Sequence, residues 1–181
     1  MIEQALRHSV PGLSVARRDP VDLHCLRLRN PDEQVLAAIG EAIGNALPLR
    51  PNAIVQGSPR ICWLAPFEWL LVGAIPERQT IERAAAAAPV FHLADLTHGR
   101  TVLEVQGRHG AELLSKGCTL DFHRKVFPAG SCAQTALAQA PVVIERIEDD
   151  LFHVYFDISL TRHMELWFRD AMLEFEWGEP A

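Results

Sequence analysis

Lysine is almost missing from this chain: only Lys116 and Lys125 stand among its 17 basic residues, and the rest are arginines. Acidic residues outnumber basic ones, 23 to 17, for a formal net charge of −6. A surface so poor in clustered cations does not neutralise a phosphate backbone, which argues against nonspecific nucleic-acid binding. Arginine in place of lysine suits forked pairing with carboxylates at interfaces, and GC-rich coding bias produces the same composition. Apolar runs are short as well, and none approaches the roughly 20 residues that cross a bilayer. The beginning, MIEQALRHSVPGL, carries Glu3 and no apolar core of a secretory signal, so a cytoplasmic, membrane-free protein is expected. Cys25, Cys62, Cys118 and Cys132 are dispersed with no CxxC pair, which argues against structural zinc and for reduced, buried thiols. No GxGxxG, GxxxxGK[ST] or GxSxG occurs, so neither a dinucleotide fold, a P-loop nor a serine elbow is expected.

What is present is an ordinary globular composition, 49% hydrophobic and 22% charged. Residues 1–20, with Pro11, Gly12, Pro20 and an Arg-Arg-Asp cluster, read as an irregular arm. A strand is expected over 21–29, with a bulge near His24 where the apolar phase slips from Val21, Leu23 and Cys25 to Leu26 and Leu28. Asn30, Pro31 and Glu33 supply a cap, a first-turn proline and a carboxylate three places on, and so open a helix. Its buried stripe is Val35, Leu36, Ile39, Ile43 and Leu47, and Gly44, Asn45 and Pro48 end it. Short strands around 53–56, 60–64 and 69–72 precede a second helix from Pro76 to about Ala88.

The rest of the chain repeats this plan. Strands are expected near 90–95, 101–106, 132–138, 142–147 and 151–158, with a helix to Lys116 and a last helix from about Leu160. Met164, Phe168, Ala171, Met172 and Phe175 give that last helix its inward stripe. The fold class is α+β: two similar halves, 21–89 and 90–181, each a mostly antiparallel sheet with two helices, packed as one unit.

The polar turn of Asp95, Thr97, His98 and Arg100 is the candidate binding constellation, suited to a carboxylate or a small amine. An aspartate at a strand end equally caps its own turn. His92, His98, His109, Cys118, His123 and Cys132 match no zinc spacing. Cys118 follows a helix end, where the dipole disfavours a thiolate, and Ser131 lacks a strand-turn-helix setting. Trp63, Trp69 and Trp167 read as core residues. Trp177, in the acidic tail LEFEWGEP, reads as a contact residue, as does Phe127 at the head of the Phe-Pro-Ala-Gly turn.

Three stretches carry a resemblance. DLTHGRTVLEVQG, residues 95–107, followed by an AELL helix, is similar to the aspartate-led segment of aminomethyltransferase-type folate-binding proteins. KGCTLDFHRKVFPAGSCAQT, residues 116–135, resembles more narrowly the gamma subunit family of heterotetrameric sarcosine oxidase, and WLAPFEWLLVG, residues 63–73, resembles that family's first half. The resemblance implies an aminomethyltransferase-like fold and a noncatalytic chain that binds no cofactor. Its alpha, beta and delta partners would oxidise sarcosine to glycine with tetrahydrofolate and oxygen, the larger two holding FAD, FMN, NAD and folate. Where the aminomethyltransferases carry an essential aspartate this chain reads ALAQAPVVIER, with no aspartate from there until Asp149. Such a chain lacks the carboxylate that proton handling at the folate requires. The alternatives are a stand-alone folate-dependent aminomethyl-transfer enzyme using Asp95 or Asp121, and a folate-binding module without catalysis.

Overall fold

The computed structural model describes residues 6–176. The chain opens with an antiparallel hairpin of β1 (Arg7–Val10) and β2 (Leu13–Arg17), Val10 opposite Leu13. The irregular arm expected for residues 1–20 is thus corrected for its described part. Pro11 and Gly12, read as breakers, are the two-residue turn itself, with Gly12 at φ 72°. Leu13 and Val15 alternate inward on the strand that follows.

The chain falls into two compact units, one of residues 21–98 with 130–132, the other of residues 6–20, 99–129 and 133–176. The division falls after His98 rather than at Pro89, and the hairpin goes with the later residues because β2 pairs into their sheet.

The unit of residues 21–98 contains β3 (Leu23–Arg29), α1 (Glu33–Ile43), β4 (Ile54–Val55), β5 (Arg60–Ala65), β6 (Glu68–Val72), α2 (Arg78–Ala84) and β7 (Val90–Asp95). Its sheet runs β4-β5-β6-β3-β7, with every neighbour antiparallel. β3 pairs with β6 and β7 without a register shift, so the expected bulge at His24 is absent. The apolar phase slips because Leu26 and Leu28 face the core under the helices, while Leu23 and Cys25 are buried on the opposite face. The cap of α1 is Asp32, not Asn30: its Oδ1 accepts from Val35 N–H at 2.8 Å, while Asn30 takes φ 43° before the proline. Gly44 ends the helix in the left-handed conformation at φ 81°. Val35, Ile39, Ile43, Ile81 and Trp69 fill this core, and Trp69 Nε1 donates to Pro48 O at 2.7 Å. α2 stops at Ala84, four residues short of its expected end.

The other unit adds β8 (Arg100–Gln106), α3 (Gly110–Ser115), β9 (Ser131–Leu137, from Ala133 on), β10 (Ala140–Glu148), β11 (Leu151–Asp157) and, after one 3-10 turn, α4 (Thr161–Glu176). The sheet order is β1-β2-β8-β11-β10-β9. Leu103, Val105, Val142, Ile144, Phe152, Val154 and Phe156 line one face and pack against Leu113 and Leu114 of α3 and Met164, Phe168, Met172 and Phe175 of α4. β2 reaches β8 because glycines meet there. A Cβ on Gly107, at φ 124°, would sit 2.2 Å from Gly12 O. Each unit is therefore an antiparallel sheet with two helices, as expected.

Candidate functional site

The expected polar turn is held together locally. Asp95 ends β7, and its Oδ1 accepts from Thr97 N–H at 2.9 Å; Thr97 Oγ1 in turn accepts from Leu23 N–H at 3.1 Å. Hydrogen bonding from the Thr97 backbone N–H first, and from its side chain second, holds the Asp95 carboxyl below its ordinary value. His98 is exposed. Arg100 heads β8 and pairs with Asp157 at 3.1 Å. Asp157 is itself held low by the Ser159 hydroxyl and backbone N–H, which it accepts at 2.7 and 3.0 Å. Asp95 and Thr97 thus share one interaction, and Arg100 belongs to another.

The segment from Cys118 to Gly130 forms a long loop without regular structure, and a buried arginine shapes it. Arg146, 1% exposed, donates from Nη1 to Phe122 O at 2.9 Å and to Phe127 O at 2.7 Å. Its Nε and Nη2 reach Asp149 O at 3.2 and 2.6 Å, and its guanidinium lies 5.0 Å from the centre of the Phe152 ring. Burial lowers the guanidinium's pKa. Locally, Asp121 Oδ1 accepts from His123 N–H at 2.8 Å, and Phe127 N–H donates to His123 O at 2.9 Å. The loop's outer side carries His123, Arg124, Lys125 and Val126, all exposed. Phe127 corrects its expected place at a contact surface. It is 3% exposed, edge-on to Phe122 with centroids 5.9 Å apart, and forms part of the core. Trp177, the other expected contact residue, lies outside the described residues.

The sheet face of β8, β10 and β11 opposite the helices carries a row of titratable groups that sequence reasoning missed. Register places Glu145 opposite His153 and His153 opposite Glu104. Tyr155 Oη donates to Glu145 Oε2 at 2.6 Å and lies 3.4 Å from His153 Nδ1. His153 Nε2 lies 3.3 Å from Glu104 Oε2 and 3.1 Å from Arg18 Nη1, and Arg18 also pairs with Glu104. Glu145 is fully buried, whereas the Arg18 side chain is 45% exposed, so the row runs from interior to surface. Close polar contacts thus run from one carboxylate through the phenol and the imidazole to a second carboxylate and the guanidinium. Chemically the row holds charge in place and joins three strands.

The four cysteines are buried and unlinked, and Cys132 Sγ donates to Trp63 O at 3.2 Å. Among the described residues no three His, Cys, Asp or Glu side chains come together to hold a metal ion. No helix there is long and apolar enough to cross a membrane. A shallow groove of about 440 Å³ follows the outer side of α1 and its end, lined by Leu36, Gly40, Glu41, Leu47 and Leu49.

Residues 27–174 match the family described as "Sarcosine oxidase, gamma subunit family". The chain belongs to that family. It is 32% identical over 149 residues to sarcosine oxidase subunit gamma of Corynebacterium sp. (strain P-1), covering 80% of this chain and 72% of that protein. To the corresponding subunit of an Arthrobacter species it is 30% identical over 144 residues, covering 77% and 70%. A chain of the heterotetrameric sarcosine oxidase from Corynebacterium sp. U-96, solved in complex with pyrrole 2-carboxylate, superposes with a TM-score of 0.85 at 26% identity, over 96% of this chain and 90% of that one. Aminomethyltransferase T of the glycine cleavage system from Bartonella henselae shares the fold, with a TM-score of 0.62 at 15% identity, over 87% of this chain and 45% of that one. The expected family and the aminomethyltransferase-like α+β fold are both found.

Proposed function

We propose that this chain is the noncatalytic gamma subunit of a multisubunit sarcosine oxidase and that its work is assembly. The alpha, beta and delta partners would carry out the oxidative demethylation of sarcosine to glycine with tetrahydrofolate and oxygen, and would hold the FAD, FMN, NAD and folate. The observation that carries this reading is the family match over most of the chain, together with the superposition on a heterotetrameric sarcosine oxidase. The carboxylates point the same way. A stand-alone aminomethyl-transfer enzyme needs an acid free to exchange protons with substrate, whereas Asp95 and Asp121 each bind a backbone N–H two residues on, and Glu145 binds Tyr155. Four unlinked, buried thiols suit the reducing cytoplasm, where we place the complex.

The test is coexpression of the tagged chain with its alpha-, beta- and delta-like genomic neighbours, followed by mass and visible absorption of the eluate. A yellow stoichiometric complex that makes hydrogen peroxide from sarcosine is expected, and a colourless, inactive chain when expressed alone. Flavin bound one per molecule to the isolated chain, or a chain that elutes without partners, overturns the reading.

A further inference from the structure

The outward face of α4 is unlike the surface of the other helices. Its inward face is spent on Met164, Phe168, Met172 and Phe175. On the opposite side Leu166 is 57% and Leu173 48% exposed. They stand seven residues apart, two turns, and so share one line along the helix. Arg162 and Arg169 have the same spacing and interleave with them at steps of four and three, giving the stripe Arg162, Leu166, Arg169, Leu173. Both arginines are exposed, and neither has an ion-pair partner among the described residues. The acids at the end of the same helix are already used: Glu174 pairs with Lys116 at 3.0 Å and Glu176 with His8 at 3.4 Å. In a chain with six more acids than bases, two guanidiniums without ion-pair partners among the described residues, alternating with two uncovered leucines, offer a place for a partner's carboxylates.

We infer that this stripe docks an acidic amphipathic helix of another subunit of the complex, its apolar residues on Leu166 and Leu173 and its carboxylates on Arg162 and Arg169. The inference rests on the assembly role proposed above and deepens it. Heptad spacing suits a helical partner, since leucines two turns apart meet the apolar seam of a helix crossing at a shallow angle. Guanidiniums favour carboxylates that they grip with two N–H groups, and they fix the register of the partner against the leucines.

The experiment uses the coexpressed complex with two double variants of the tagged chain, Leu166→Glu with Leu173→Glu, and Arg162→Glu with Arg169→Glu. All four side chains are exposed, so circular dichroism and thermal midpoint should match the unaltered chain. Recovery of the partner subunits is expected to fall about tenfold or more in each. A photoreactive residue at position 173 should crosslink to another subunit, within an acidic helical peptide. Folded variants that recover partners as well as the unaltered chain does overturn the inference and leave the assembly role standing. A crosslink to a second copy of this chain overturns it in favour of self-association. If the unaltered chain recovers no partner, both fall together.

Discussion

Tyr155 donates its hydroxyl hydrogen to Glu145 Oε2 at 2.6 Å, in a place where the glutamate has no exposed surface at all. A buried carboxylate depends on its donors, and removing one costs about 1–3 kcal/mol. Tyr155→Phe is therefore expected to lower unfolding stability by that amount, read from the urea midpoint. Glu145→Gln, which keeps an acceptor for the tyrosine and removes the charge, should cost less. A Tyr155→Phe chain as stable as the original would show that this hydrogen bond contributes no net stability.

Arg146 gives a sharper case. It holds Phe122 O, Phe127 O and Asp149 O with one planar group. A lysine ammonium has neither the fork nor the reach to serve all three. Arg146→Lys is expected to cost about 2–4 kcal/mol in urea unfolding. Amide exchange at Phe127, whose N–H donates to His123 O, should rise more than exchange in α1, because the loop loosens first.

Gly107 tests how the hairpin is attached. Gly107→Ala meets both an unfavourable φ of 124° and Gly12 O at 2.2 Å, so a loss above about 2 kcal/mol is expected. Gly44→Ala, where an added Cβ meets nothing within 4 Å but φ is 81°, should cost less.

Asp95 supplies a pH dependence. Hydrogen bonds from Thr97 lower its folded pKa below the ordinary 3.8. The unfolded chain therefore takes up the proton first as pH falls. The contribution is complete above the ordinary value and is lost as pH drops through the lower folded one. Asp95→Asn keeps an acceptor for Thr97 N–H and removes the titration. Its urea midpoint is expected to fall less steeply than that of the unaltered chain below about pH 4. Parallel curves would assign the acid slope to other carboxylates.

The two long helices were legible because periodicity is local: Val35, Ile39 and Ile43, and Met164, Phe168, Met172 and Phe175, declare an inward face within a few turns. The motif of residues 116–135 was legible as a family mark, not as a shape. Its form depends on Arg146, which in ERIED looks like surface charge, although Val142, Ile144 and Arg146 share one strand face and so one core. The Glu104–His153–Glu145 row was out of reach, since it exists only once three strands more than forty residues apart in places have chosen their register. The hairpin was missed because Pro-Gly marks both a break and a tight turn, and what decides between them is the partner strand β8.

The loop gripped by Arg146 has a practical sequel. Every acceptor of that arginine is a backbone carbonyl, which takes up no proton between mild acid and mild alkali, so buffer pH leaves the grip unchanged. On this loop stands Lys125, exposed, while Lys116 is tied to Ala171 O and Glu174. An amine-reactive probe placed on Lys125 would report from a point on the gripped loop, and a tether from it to a neighbouring subunit would measure a span.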